Sequence, residues 1–301
     1  MSWVFLAGDR VYKLKKAVRY PYLDFSTLSA REFYCREELR LNGRLASGIY
    51  LGVVPLVQGK TGKLSFAGEG SIVDWVIEMR RLPADRMLDV MLKSKLIGQD
   101  DVARLAHVLA DFYRKSQRPA APPDMSFHRS VGEMMDNRNA LTCTKHLLDQ
   151  SKITTLLDRV DAELLKARGM LEERSRSGHI VDGHGDLRPE HICMTEPIVI
   201  FDCLEFNPRL RLVDPFDELV FLGLECARLE APWFGPALIE KVAHALSEEV
   251  PHDLIPLYTA LHAVLRARLS LAHLLDPTPR DPAKWTPLAQ QYLDLAEHAL
   301  K

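Results

Sequence analysis

The chain opens with short apolar runs broken by turn residues and closes with long stretches in which apolar positions recur every three or four residues. Residues 3–7 and 10–14 flank Gly8 and Asp9, which predicts a β-hairpin. Side chains alternate along a strand, so Lys13 and Lys15 share one face of the second run. Ser29 and Glu32 read as a capping box ahead of a helical pattern that should run to about residue 45. Tyr34, Glu38, Leu41 and Leu45 make its apolar stripe, and a carboxylate on such a stripe needs a partner. Residues 51–57 and 64–67 predict a second hairpin, and residues 71–77 a largely apolar strand.

From residue 84 the pattern turns helical. Residues 87–95 and 100–115 have helical spacing, the latter with Val102, Leu105, Val108, Leu109 and Phe112 as its buried stripe. A short proline break at 119–123 precedes helices at 134–150 and 153–173. Residues 192–194 and 198–201 are apolar runs of strand length around a turn of Thr195, Glu196 and Pro197. Asp214 fits as N-cap, with Pro215 at the first position of a helix through about residue 229. Helices at 236–249, 254–275 and 285–300 complete the chain. His262 and His273, three turns apart on one of them, read as packing residues. The order predicts an α+β fold in two lobes: residues 1–80 as a small antiparallel sheet with one helix, and residues 81–301 as a mostly helical lobe.

The 301 residues are 47% hydrophobic and 27% charged, enough for one large core or two lobes. A net charge of −2 gives no reason to expect nucleic acid or an anionic membrane as partner, and no apolar run approaches the length of a membrane span. The five cysteines lack the paired spacing of metal ligands and read as reduced thiols of a cytoplasmic protein. Residues 2–8 are too short, and lack the basic leader, for a signal peptide. Gly59, Lys60 and Thr61 end like a Walker loop, but no glycine stands five residues before Gly59 and no strand–loop–helix context surrounds them, so a P-loop is rejected.

The candidate chemistry lies in residues 181–206. His184, Gly185, Asp186 and Leu187 form a tight loop, His191 follows five residues after Asp186, and Asp202 ends the second apolar run. An acid at the end of a buried strand needs a cation or a hydrogen-bond donor. The protein-kinase catalytic loop runs H-R-D-L-x-x-x-N, with the Asp as base, and a metal-binding Asp follows on the next hairpin. This chain has the same spacing, with Gly185 in the Arg place and His191 in the Asn place. The H-G-D form resembles the aminoglycoside phosphotransferase and choline kinase branch of the kinase-like superfamily, most specifically in this stretch. The sequence is also similar to an uncharacterised bacterial branch whose members are often fused to a P-loop nucleotidase domain. No such domain is expected here, so this copy would stand alone or meet that partner in trans.

That resemblance implies a bilobal kinase-like fold and an ATP-dependent phosphotransferase acting on a hydroxyl of a small molecule, with ATP between the lobes. It implies Asp186 as the group acting on the acceptor, Arg188 as a neutralising charge, and Asp202 and His191 as ligands of magnesium. Imidazole is a poorer magnesium ligand than an amide oxygen, so His191 would bind one metal weakly, favour manganese, or only hydrogen-bond near the phosphates. It implies Lys13 on the phosphates, with Lys15 as the fallback, paired with Glu38, and Glu78 to Arg80 as the hinge offering backbone groups to adenine. Asp217 resembles the structural Asp that follows the metal loop, and capping explains Asp214 and Asp217 equally. Residues 2–7 and 10–14 match the second and third strands of the small lobe, so a phosphate-covering loop is not expected before them. An open sheet edge there invites a partner strand or a second copy. The other functions compatible with these residues are a nucleotide-binding pseudokinase or scaffold, and nucleotidyl transfer on the same fold. The acceptor is not legible.

Overall fold

The computed structural model describes all residues except 21, 67, 121, 144–147 and 277. In chain order, the first part carries strands β1 (Ser2–Ala7), β2 (Arg10–Lys15), β3 (Arg19–Tyr20) and β4 (Leu23–Asp24), helix α1 (Leu28–Asn42), and strands β5 (Tyr50–Gln58), β6 (Leu64–Ser65) and β7 (Ser71–Arg80). Helices α2 (Leu88–Lys93), α3 (Gln99–Lys115), α4 (Met125–Cys143) and α5 (Gln150–Arg176) follow. Short strands β8 (Val181–Asp182), β9 (Ile192–Cys193), β10 (Val199–Ile200) and β11 (Leu212–Val213) come next. Helices α6 (Pro215–Arg228), α7 (Phe234–Leu246), α8 (Ile255–Ala272) and α9 (Pro282–Ala299) end the chain. The residues divide into two compact units, one of residues 1–97 with 184–212, the other of residues 98–183 with 213–301.

In the first unit a five-stranded sheet runs in the order β1, β2, β7, β5, β6. Lys13 of β2 stands opposite Val4 of β1 and Ile77 of β7 in antiparallel register. Strand β7 continues to Arg80 instead of ending at residue 77, because Glu78 is paired on both sides, with Tyr12 and with Gly52. Lys60 and Thr61 sit in the turn from β5 to β6, which no helix follows. Strand β6 ends at Ser65, and the residue expected to end it, Ala67, lies outside the described residues.

Helix α1 lies along β5 and β7. Its N-cap is Thr27, whose hydroxyl accepts from the Ala30 N–H at 3.1 Å, instead of Ser29. Glu32 is then too far along to close a capping box and turns to Arg36, 2.8 Å away. The helix also ends at Asn42, short of residue 45. Its buried face is Arg31, Cys35, Glu38, Leu41 and Asn42, more polar than the expected stripe. Strands β9 and β10 pair as a hairpin of two residues each, shorter than the apolar runs that contain them. Both runs are nevertheless buried from end to end apart from the half-buried Phe201.

The second unit is helical apart from its short strands. Val102, Leu105, Leu109 and Phe112 of α3 are buried as expected, joined by Ala106, Ala110 and Tyr113, whereas Val108 is half-buried. Helix α4 begins at Met125 instead of residue 134, and the expected continuation to residue 150 runs into 144–147, outside the described residues. Asp214 caps α6, accepting from the Phe216 N–H at 2.9 Å, with Pro215 at the first helical position. A Cβ on Gly223 would lie 2.9 Å from the Gly235 Cα, so these two glycines set how closely α6 and α7 approach. The fully buried Glu225 of α6 is met by Arg266 of α8 at 2.7 Å, by Arg228 at 2.8 Å and by the Tyr292 hydroxyl of α9 at 2.7 Å. Its charge therefore has the partners that burial demands. His262 hydrogen-bonds Asp217 at 2.8 Å, and His273 stacks on Trp285. No helix among the described residues is long and apolar enough to cross a membrane.

Candidate active site

The alternation of β2 puts two ammonium groups on one face, and Glu38 of α1 meets both. Lys13 Nζ lies 2.7 Å from Glu38 Oε1, and Lys15 Nζ lies 2.7 Å from Oε2. Each lysine has a second carboxylate, Asp202 for Lys13 and Glu205 for Lys15. Lys15 is fully buried and also stands 4.8 Å over the Phe25 ring. Glu38 is fully buried too, a placement that would cost several kcal/mol without partners. Burial opposes its ionisation, but Lys13 and Lys15 outweigh it and hold the carboxyl below the usual range. Burial likewise opposes charge on Lys13, and Glu38 and Asp202 more than reverse it, raising it well above the ordinary lysine value. Glu205 goes the other way: burial, then the nearby Glu38, push it up.

Asp202 sits at a bend where the backbone turns left-handed, with φ +64°. That conformation costs a residue with a Cβ about 1 kcal/mol or more. Hydrogen bonds hold it there. The Asp202 N–H donates to the Tyr50 hydroxyl at 3.3 Å, and the next N–H, of Cys203, donates to Asn42 Oδ1 at 3.0 Å. Burial disfavours the Asp202 carboxylate, yet Lys13 and then His191 keep it well below the usual range. Its side chain is 38% exposed, with His191 Nε2 at 3.5 Å from Oδ2.

The loop before it is built on His184. Its Nε2–H donates to the Phe201 carbonyl at 2.9 Å, and its Nδ1 accepts from the Asp186 N–H at 3.3 Å. Burial, reinforced by His191, pulls its pKa down to about 4, so it serves as a neutral strut between loop and hairpin. Gly185 has φ +84°, and a Cβ there would come within 3.1 Å of Arg211 and Leu204 side-chain atoms. The Asp186 carboxylate, 26% exposed, is met by Arg188 Nε and Nη2, both at 3.0 Å. His191 Nδ1–H donates to the Asp186 carbonyl at 2.8 Å, and its Nε2 accepts from Arg188 Nη2 at 3.1 Å. Those partners fix the imidazole tautomer, with the Nε2 lone pair on the side of Asp202.

One network within the first unit thus joins Lys13, Glu38, Asp186, Arg188, His191 and Asp202. Glu78 and Arg80 stand outside it: Glu78 pairs with Arg10 at 3.2 Å, and the Arg80 N–H donates to the Ile49 carbonyl. Lys15, the fallback, is a partner of Glu38 in its own right. Sequence reading missed Glu205, Asn42 and Tyr50. Glu205 carried a faint signal, an acid between Leu204 and Phe206. The donor set suits a cation only in part. Asp202 supplies oxygen and His191 a nitrogen, and among the described residues no group of three ligating side chains could hold a metal ion unaided. Magnesium there would need oxygens from nucleotide phosphates and water.

No family model matches the chain. It is 30% identical over 302 residues to uncharacterised proteins of Mycobacterium tuberculosis and Mycobacterium bovis. The match takes in 97% of this chain but 58% of each relative, so the chain spans little more than half of their length. Among solved structures, choline kinase from Cryptosporidium parvum Iowa II superposes with a TM-score of 0.57 at 9% identity, covering 99% of this chain and 88% of that one. An ethanolamine kinase of Plasmodium vivax follows at a TM-score of 0.49 and 12% identity, covering 95% of this chain and 75% of that one. At the level of fold, the chain is thus similar to that choline kinase.

Proposed function

We propose that the protein is an ATP-dependent phosphotransferase whose acceptor is a hydroxyl of a small molecule. The observation that carries the reading is the ion chain from Glu38 through Lys13 to Asp202, beside a loop that carries Asp186. Glu38, held by two ammonium groups, sets the direction of Lys13. Lys13 would be the group that meets the nucleotide phosphates, and Asp202, beside it, would be the carboxylate that holds a cation. Asp186 accepts the proton of the acceptor hydroxyl while that oxygen bonds to the γ-phosphorus and the bond to the bridging oxygen breaks, releasing ADP. Arg188, already on Asp186, offsets charge on the moving group. Asp202 and His191 would hold a magnesium or manganese ion, which would supply charge neutralisation to the phosphates. The reduced, mostly buried cysteines suit a cytoplasmic enzyme.

A nucleotide-binding module without transfer is the second reading. The observation favouring it is that Arg188 occupies both Asp186 carboxylate oxygens while His191 replaces an amide. The purified protein, given ATP labelled at the γ- or the α-phosphate, either metal and a panel of hydroxylated metabolites, separates the readings. Transfer of γ-label to a metabolite is the expected result. Transfer of α-label means nucleotidyl chemistry. ATP that protects against thermal unfolding while neither label moves means a binding module.

A further inference from the structure

The left-handed turn at Asp202 is sparsely populated for a residue other than glycine and persists only where its surroundings over-determine it. Two side chains outside the ion chain meet it. The Tyr50 hydroxyl accepts from the Asp202 N–H at 3.3 Å. Asn42, 1% exposed, spends both ends of its amide on backbone: Oδ1 accepts from the Cys203 N–H at 3.0 Å, and Nδ2 donates to the Glu38 carbonyl at 2.8 Å. A single side chain therefore ties the residue that holds Lys13 to the residue beside Asp202. On the other flank, the His184 ring and carbonyl hold the Phe201 carbonyl and the Leu204 N–H. Residues 202 and 203 are clamped between these attachments, and the backbone that carries the Asp202 carboxylate cannot change course without breaking one.

We propose that Asn42 and Tyr50 are positioning residues for the metal-binding aspartate: they fix the backbone of residues 202–203 so that the Asp202 carboxylate faces Lys13 and His191. The inference rests on reading Asp202 as the metal carboxylate and adds what sets its direction. Packing alone would not require it. Phenylalanine would fill the Tyr50 site and leucine the Asn42 site, but each would leave an N–H of the turn without its acceptor.

The test uses the whole chain and two variants, Tyr50→Phe and Asn42→Leu, with two readouts. Amide hydrogen exchange should accelerate at Asp202 in the first variant and at Cys203 in the second. Calorimetry with ADP should show metal-free affinity close to wild type in both, while the gain on adding magnesium falls about tenfold or more, as for other groups that orient a metal ligand. Tyr50→Phe removes one oxygen, so it carries the test if Asn42→Leu fails to fold. Unchanged exchange at Asp202 in Tyr50→Phe overturns the proposal, and so does faster exchange with the magnesium gain intact. A wild-type protein whose ADP affinity ignores magnesium removes the metal reading itself, and the inference with it. That outcome is visible before any substitution is made.

Discussion

Asp186 is a quarter exposed and carries Arg188 on both of its oxygens, so it is reachable from solvent yet fixed in direction. Asp186→Asn keeps its shape and its place in the loop while removing a base. Transfer should slow by about 10²–10⁴-fold with nucleotide affinity near wild type, and a variant keeping more than about a tenth of the rate refutes the role. His191 is a separate case. Its Nδ1–H holds the Asp186 carbonyl and its Nε2 looks toward Asp202. Asparagine could keep the donor and offer oxygen in place of nitrogen, so His191→Asn should hold or raise activity with magnesium. Loss with magnesium and manganese alike would show that the imidazole has work of its own. At this scale the sequence reveals residues that stand at patterned positions: Lys13 by strand alternation, Glu38 by its seat on a helix stripe, Asp186 and His191 by loop spacing. It does not reveal Glu205, whose partner Lys15 lies 190 residues away, nor Asn42 and Tyr50, which act through backbone atoms and leave no pattern.

Among the elements, α1 departs most from the expected pattern. A helix with Arg31, Glu38 and Asn42 on its buried face has a polar inner side, and apolar periodicity locates such a helix while misjudging its ends and its cap. Arg31 finds Asp74 at 2.7 Å on β7, Glu38 finds the two lysines, and Asn42 finds Cys203, so each element facing α1 supplies a partner that no local window contains. Helices α6 and α8 show the same device. Asp217 and His262 pair at 2.8 Å, with Arg129 of α4 3.7 Å from Asp217. Burial lowers the His262 pKa, but Asp217 more than offsets it and the net shift is upward. Burial raises Asp217, and His262 more than offsets that, so its net shift is downward. The histidine's contribution is complete below its unfolded value of about 6.5 and is lost as pH rises through the raised folded value. The aspartate's is complete above its unfolded value of about 3.9 and is lost as pH falls through the lowered one. The stability difference between wild type and His262→Gln should therefore be largest at about pH 4–6.5 and shrink as the medium turns alkaline. Chemical denaturation across pH checks this, and a difference independent of pH would show that the pair adds nothing through charge.

At the scale of the molecule, the chain returns on itself. Residues 184–212 belong with residues 1–97, although a long helical stretch separates them in sequence. Local hydrophobic patterns report on neighbours along the chain, so they give the strands and helices but not this return, which is carried by long-range ion pairs and a hairpin too short to announce its place. The return has an energetic consequence. Without residues 184–212, Lys13 loses Asp202 and Lys15 loses Glu205, and both lysines are left sharing Glu38. The fragment also loses the buried hairpin of β9 and β10, and a domain is stable by only about 5–15 kcal/mol, so losses of this kind weigh heavily. The turn acceptors Tyr50 and Asn42 lose their donors as well. The fragment of residues 1–97 should therefore fail to fold by itself despite holding the whole five-stranded sheet and α1. It should show no cooperative denaturation and poor dispersion of amide resonances. A sharp unfolding transition in that fragment would mean that the sheet and α1 are stable without residues 184–212, and that the ion pairs to Asp202 and Glu205 serve the candidate site alone.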